Sequence, residues 1–366
     1  MKSTASKAMR RISGVSRRDI FRAAGTATAG GLLATAPSRA VAADKTGGAD
    51  IYARIGVRPF INMTGSYTIN GGMLTWPEVK EAMDKASLQS VNIDELMEKA
   101  GTRIAQLLQC EAAMVTSGCA GALTHATAAC VAGADPEKFH QLPNLDGLKN
   151  EVIMPRQSRN MYDFAIRAVG VKIINVDSID DFHAALGRRT AMIAVNGSSE
   201  SRGIRLEDLA KAARPAGVPI LVDAAAHLPA LPNQWLSRGA DLVGHSGGKS
   251  FRGPQCAGLL IGRKDLIQAA WVNSAPHHTF GRAMKIGKEE IMGMLAAVEV
   301  WSKRDLPAEQ RTYGAWNAYI AERVTKVPGV KTSERPPDGP TRRHAVSDQG
   351  RLAGLDLAPA HALSVE

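Results

Sequence analysis

GHSGGKSFRGPQ, residues 244–255, is the stretch on which the fold turns, because its centre, Gly248-Lys249-Ser250, comes close to a nucleotide-binding loop. A loop of the Walker type needs G-x-x-x-x-G-K-[ST], which would put a glycine at position 243, and that position is Val243. It also needs a helix directly after the lysine, so that first-turn N–H groups face the phosphate, yet Gly253-Pro254 follows within a few residues. The flanking runs ADLVGH (240–245) and CAGLLIG (256–262) are instead apolar and strand-like. Lys249 is therefore expected on a tight turn between two strands.

Upstream of this turn, short apolar runs alternate with amphipathic ones. EAAMVTSG (111–118) leads into GALTHATAACVAG (121–133), and NEVIMP (150–155) into YDFAIRAVG (162–170). VKIINV (171–176) leads into DDFHAALG (180–187), TAMIAVNG (190–197) into LEDLAKAARPAG (206–217), and VPILVDAAA (218–226) into NQWLSRG (233–239). Repeated strand-then-helix alternation predicts an α/β fold, a mostly parallel sheet with helices on both faces. Two helices are predicted ahead of it, at 77–89 with Pro77 in the first turn and at 92–109 with Asn92 as N-cap. After the turn come a strand, the helix-like RKDLIQAA, a loop through residue 288, and helical stretches near 289–303 and 307–326. The last forty residues show no clear period.

The first 42 residues differ in kind. They hold eight Lys or Arg against one acid, Asp19, and include Ser16-Arg17-Arg18-Asp19-Ile20-Phe21-Arg22, which has the form of a twin-arginine export signal. A diluted apolar stretch and Ala40-Val41-Ala42 follow, giving a small-x-small cleavage site before Ala43. The leader carries +7 of the chain's formal +10, so the basic balance of the remainder is slight and no nucleic-acid partner is expected. No later segment is apolar for long enough to cross a bilayer. The domain reading is a signal peptide at 1–42, an N-terminal arm with helices at 43–110, a large domain at 111–275 and a smaller α/β domain at 276–366, expected to be incomplete. Export by the twin-arginine machinery to the periplasm or beyond is the corresponding localisation.

The four cysteines, Cys110, Cys119, Cys130 and Cys256, lack C-x-x-C spacing, so no metal site is expected. Structural thiols are the default reading, with one disulfide left open by export.

In open α/β sheets ligands gather at the carboxyl ends of strands, and there the chemically loaded residues fall. Ser117-Gly118 ends the first strand, Asp223 ends VPILVD, and His245-Ser246 ends ADLVG. If Lys249 holds an aldehyde cofactor as a Schiff base, a carboxylate is needed against a pyridine nitrogen, and Asp223 lies 26 residues earlier. Ala224, Ala225 and Ala226 supply the small residues a flat ring requires. Ser117, Gly118 and Cys119 open a helix able to cradle a phosphate, and Ser246 adds a hydroxyl. Taken singly, Asp223 reads as a helix cap, Ser117-Gly118 as a turn and Lys249 as a solvated residue; together they make a site. His125 and His227 read as structural.

The blocks VDAAAHLP, ADLVGHSGGKSFRGPQCAGLLIGRKDLI, GRAMKIGKEEI, VTSGCAGAL and INMTGSYTINGG resemble the fold-type-I pyridoxal-phosphate-dependent family of selenocysteine synthase and D-glucosaminate-6-phosphate ammonia-lyase, from about residue 51 to about 330. The resemblance implies pyridoxal 5'-phosphate as cofactor and Lys249 as the Schiff-base lysine. It implies Asp223 on the ring nitrogen, and Ser117, Gly118 and Ser246 on the phosphate. It also implies a homodimer or larger even oligomer, with Arg282, Lys285 and Lys288 as a basic block that reaches an anionic group across the interface or, equally, as a solvated surface. Ser158 stands where relatives often carry a histidine, and no segment matches the tRNA module of selenocysteine synthase. The favoured reading is an α,β-elimination of ammonia-lyase type on an amino acid or amino sugar acid. The alternatives are a seryl-tRNA selenium transferase and a catalytically inactive protein of the same fold.

Overall fold

The computed structural model describes residues 51–62, 64–227, 229–334 and 344–347, with backbone alone at 333–334 and 344–347. The export signal expected at 1–42 and the segments 335–343 and 348–366 lie outside the described residues. Two compact units divide the chain, residues 1–61 and 62–366. In the first, the described residues 51–61 hold one 3-10 turn, Ala53–Ile55, closed by Gly56 at φ 74°.

The second unit opens with two helices. Helix α1 (Pro77–Ser87) starts on its proline, which loses nothing there because a first-turn N–H has no intrahelical acceptor. Helix α2 (Ile93–Leu108) is capped as its sequence predicts: the Asn92 side chain accepts from the Glu95 N–H at 3.0 Å. Its stripe Met97, Ala100, Gly101, Ile104 and Leu108 is buried at helical spacing. Gly101 is required because a Cβ there would lie 2.3 Å from the Ala113 carbonyl oxygen.

Strand β1 (Ala112–Thr116) then leads into helix α3 (Gly118–Ala132), apolar on all sides and buried at nearly every position. Strands β2 (Glu151–Pro155), β3 (Lys172–Val176), β4 (Thr190–Asn196) and β5 (Ile220–Asp223) alternate with further helices, among them α4 (Ile179–Ala185) and α5 (Leu206–Ala213). Strands β6 (Leu242–Ser246) and β7 (Gly258–Gly262) follow, then helices α6 (Lys264–Val272), α7 (Lys288–Trp301) and α8 (Leu306–Val324).

The seven strands form one sheet in the order β1-β7-β6-β5-β4-β2-β3. All neighbouring pairs are parallel except those of β7, which runs against both β1 and β6. Successive residues of β2, β4 and β7 are buried whichever face they point to, so both faces of the sheet are covered. The mostly parallel fold-type-I α/β architecture expected from the sequence is the one observed. The carboxyl ends of β1, β4, β5 and β6 consequently share one edge.

Three local expectations are corrected. NQWLSRG is a run of turns, because the Asn233 carboxamide accepts the N–H groups of Trp235 and Leu236 at 3.0 and 3.2 Å and closes the chain on itself. YDFAIRAVG shrinks to a helix of four residues, Phe164–Arg167. The C-terminal region without clear period holds a short antiparallel pair, β8 (Lys331–Glu334) with β9 (His344–Ser347). All four cysteines are free thiols.

Candidate functional site

Register brings the site together. Asp223 pairs with Gly244 across β5 and β6, so both point to one face, and a Cβ at Gly244 would meet Cys119 Sγ at 3.1 Å and Ala122 of α3. The Asp223 carboxylate and α3 therefore share that face. Two residues on, Ser246 lies on the same face, in register with Gly258 and, through it, with Thr116. Gly258 has no side chain for a steric reason: the Gly118 backbone crosses it so closely that a Cβ would sit 2.3 Å from the Gly118 carbonyl carbon. Gly118 itself takes φ 70°, a left-handed conformation that turns the chain from β1 into α3.

Ser117, at that turn, has a buried hydroxyl with no hydrogen-bond partner among the described residues. An orphaned hydroxyl beside the free N–H groups of a 15-residue helix fits an anionic group. Cys119 lies one residue inside α3, and its thiol donates to Asp223 Oδ1 at 3.5 Å. Burial first, then the neighbouring carboxylate, push this thiol well above its ordinary pKa, so it stays protonated and keeps donating. The Ala225 N–H also donates to Oδ1, at 3.0 Å. Asp223 Oδ2 takes no hydrogen bond among the described residues, and Asp223 lines a small cleft with Ser158, Asn160, Asp163 and Asn196.

Lys249 sits on the β6–β7 turn, half-buried, close enough to act electrostatically on both Cys119 and His227. Asp223 acts on the same two groups. The lysine ammonium has no ion pair or hydrogen bond among the described residues. Lys249, Asp223, Cys119, Ala225, Ser246, Ser117 and Gly118 thus gather at one edge of the sheet, from three segments far apart in sequence.

The remaining candidates differ in how near they lie to this group. His227 stacks edge-on against Trp235, with centroids 5.3 Å apart, and burial lowers its pKa. His125 is buried on α3 against Gly281, where a Cβ would come within 2.6 Å of its Nε2. Ser158 is fully buried with an unpartnered hydroxyl and lines the cleft beside Asp223. In the basic block, Lys288 is ion-paired with Glu289 while Arg282 and Lys285 are exposed. His245 points to the sheet face opposite Ser246, buried against Phe251 at 6.1 Å. Among the described residues no group of His, Cys, Asp and Glu is arranged to hold a metal ion.

Burial lowers both His125 and His245 to a pKa of about 4, from an ordinary 6.5. The unfolded chain binds these protons first, so the stability from burying the neutral rings is whole above pH 6.5 and lost as pH falls towards 4. Thermal unfolding at stepped pH should show the apparent melting temperature dropping across this window. His245→Gln should flatten the drop.

The model of the aminotransferase class-V family matches residues 80–347. The chain belongs to the aminotransferase class-V family. Within it, the chain is 32% identical over 262 residues to D-glucosaminate-6-phosphate ammonia lyase from Salmonella typhimurium, covering 68% of this chain and 69% of that one. It is 31% identical over 316 residues to 5'-C-glycyluridine monooxygenase-decarboxylase from a Streptomyces species, covering 82% and 75%. To the L-seryl-tRNA(Sec) selenium transferase of Moorella thermoacetica it is 26% identical over 282 residues, with 57% of that protein's length matched. A solved structure of D-glucosaminate-6-phosphate ammonia-lyase superposes with a TM-score of 0.69 at 27% identity, covering 81% of this chain and 80% of that one.

Two residues at this edge escaped the sequence reading. Asn196 ends β4 opposite Asp223 and lines the same cleft. A polar residue closing an apolar strand, the signal that found Asp223, would have found it too. Thr116 closes the apolar strand β1 in the same way, and its register with Gly258 and Ser246 sets it at this edge.

Proposed function

We propose that the chain is a pyridoxal-phosphate-dependent enzyme that acts at Cα of an amino acid or amino sugar acid, releasing ammonia by α,β-elimination. The observation that carries this reading is the convergence of the free Lys249 amine, the Asp223 carboxylate and the unpartnered Ser117 hydroxyl at one strand-end edge. The similarity to D-glucosaminate-6-phosphate ammonia lyase over 68% of the chain supports the elimination chemistry.

Lys249 Nζ would hold the cofactor aldehyde, and Ala225 would underlie the ring. Ser117, the N–H groups opening α3 and Ser246 would hold the phosphate. When bound, pyridoxal phosphate supplies a conjugated electron sink. The Asp223 carboxylate would face the ring nitrogen, its Oδ1 fixed by the Ala225 N–H and the Cys119 thiol so that Oδ2 is left to accept. Freed when the substrate amine takes its place, the Lys249 amine would take the proton from substrate Cα as the C–H bond breaks, and return it to the departing β-hydroxyl, which leaves as water when the C–O bond breaks. Hydrolysis of the released enamine gives a 2-oxo acid and ammonia, with no net oxidation or reduction.

Export through the twin-arginine leader and assembly as a homodimer belong to the same proposal. Separation from charged tRNA, together with the slight basic balance beyond the leader, favours a small-molecule substrate.

The test is a screen of β-hydroxy amino acids and amino sugar acids with the cofactor-loaded protein, read as ammonia and 2-oxo acid. Saturable release of both in equal amounts is expected. Oxygen uptake with carbon dioxide release would instead assign the chemistry named for the Streptomyces relative, and would overturn the elimination reading.

A further inference from the structure

Lys249 has no side-chain partner among the described residues, so where its side chain starts, and the reach of its amine, depend on the backbone of the β6–β7 turn. That backbone is fixed from outside the sheet. The Phe251 carbonyl accepts the indole N–H of Trp76 at 3.0 Å, and the Arg252 carbonyl accepts the Trp76 backbone N–H at 3.2 Å. The Ser250 carbonyl accepts from Arg304 Nη1 at 3.1 Å. Three consecutive carbonyls directly after Lys249 are thus held by two residues from the ends of α1 and α7.

The same tryptophan is pinned in turn. The Arg252 guanidinium lies 3.7 Å from the centre of its ring, and Arg304 lies 5.8 Å away. Arg252 also donates to the Leu74 carbonyl at 2.9 Å, and Arg304 is paired with Glu309 at 2.5 Å. Arg252 occupies φ 52°, a left-handed conformation that a residue with a Cβ holds only when its surroundings impose it. Phe251 is buried between His245 and Trp301 and anchors the middle of the turn.

We infer that Trp76 is a positioning residue for Lys249, holding the turn so that the amine points along the strand-end edge towards Asp223. This rests on the proposed function, because it assigns Lys249 the covalent role. A displacement of about 1 Å at a reacting group costs on the order of 10²-fold in rate. Loss of one neutral hydrogen bond costs about 1 kcal/mol, or roughly fivefold.

The experiment uses the full chain with added pyridoxal phosphate, fixed by hydride at sub-saturating cofactor, and follows the rate of label on the Lys249 peptide by mass spectrometry. Exposed Lys85 is the internal control. Trp76→Leu, which removes ring and N–H, is expected to slow labelling of Lys249 by about 10²-fold. Trp76→Phe keeps the ring for Arg252 and should recover most of that, leaving a loss of roughly fivefold. Lys85 should label at the wild-type rate in both. For the substrate found by the screen, kcat should fall with KM within about threefold.

Arg252→Gly accepts the left-handed backbone and loses only the stack and the Leu74 link, so it keeps the test valid if Trp76→Leu does not fold. Its expected loss lies between the other two. Wild-type labelling rates in Trp76→Leu or Arg252→Gly, or losses that merely track the folded fraction by circular dichroism, would overturn the positioning role while leaving the proposed function standing. Absence of label on Lys249 in the wild-type protein would overturn both.

Discussion

Lys249→Ala is expected to abolish turnover, by at least about 10³-fold, and to remove the hydride-fixed cofactor mass from the peptide that holds residue 249. In the proposed mechanism one amine has two tasks, covalent attachment of the cofactor and movement of the Cα proton, and no second amine among the described residues has been placed at this edge. Lys249→Arg separates charge from nucleophilicity. Its guanidinium stays protonated throughout the accessible pH range, so it offers a cation and no base, and its loss should be as deep as that of alanine. Neither change should unfold the protein, because the Lys249 side chain makes no ion pair or hydrogen bond among the described residues and substitutions at such positions shift stability by about 0.5 kcal/mol or less. An unchanged melting curve beside absent turnover is the expected pairing. Retention of more than a few per cent of wild-type ammonia release in either variant would sink the assignment of Lys249.

Residues that had to be read with their neighbours decide how much of this was legible in sequence. The strand-and-helix alternation from residue 111 to 262 gave the sheet because every strand is a short apolar run closed by a polar or glycine residue, and the same closures marked Ser117, Asp223 and Ser246. Failed Walker spacing and the Gly253-Pro254 break placed Lys249 on a turn between two strands, and the structure shows those strands to be antiparallel. NQWLSRG misled because Asn233 spends its side chain on two backbone N–H groups and closes turns where the spacing of Trp235 and Leu236 reads as helix. The thiol of Cys119 under Asp223 joins residues 104 apart, and the Trp76 indole on the Phe251 carbonyl joins residues 175 apart. Neither leaves a periodic trace, since each is made by tertiary approach of two segments that are locally ordinary. Register, not local pattern, also explains Gly258: it must be glycine because Gly118 crosses above it, a fact invisible until β7 is placed between β1 and β6.

The site is also asymmetric about the sheet. Gly244 and Ser246 look towards α3, while His245 between them looks away into a packed cluster with Phe251. Three consecutive residues thus serve two layers: one face carries the proposed chemistry, and the other anchors the turn that carries the lysine. Changes at His245 or Phe251 reach Lys249 through the backbone they share.

Asp223→Asn tests the charge on the other side of the site. The asparagine carboxamide oxygen can occupy the Oδ1 position and keep both the Ala225 N–H and the Cys119 thiol, so the local geometry survives. Its amide nitrogen then replaces Oδ2 and presents a donor where the proposed function needs an anionic acceptor. A protonated ring nitrogen loses its counter-charge, and removing one partner of such a buried charged pair costs about 2–5 kcal/mol. Turnover should fall by about 10²–10³-fold, whereas folding and labelling of Lys249 by hydride should persist, because attachment of the aldehyde depends on the lysine and not on the ring charge. Asp223→Glu keeps the charge but adds a methylene where Cys119 and Ala225 leave no slack, so it should displace the carboxylate and recover only part of the rate. Steady-state kinetics beside intact-mass measurement on the three proteins reads both quantities. Wild-type turnover in Asp223→Asn would show that the carboxylate faces no ring nitrogen, and would leave Asp223 as nothing more than the acceptor that ties α3 to the end of β5.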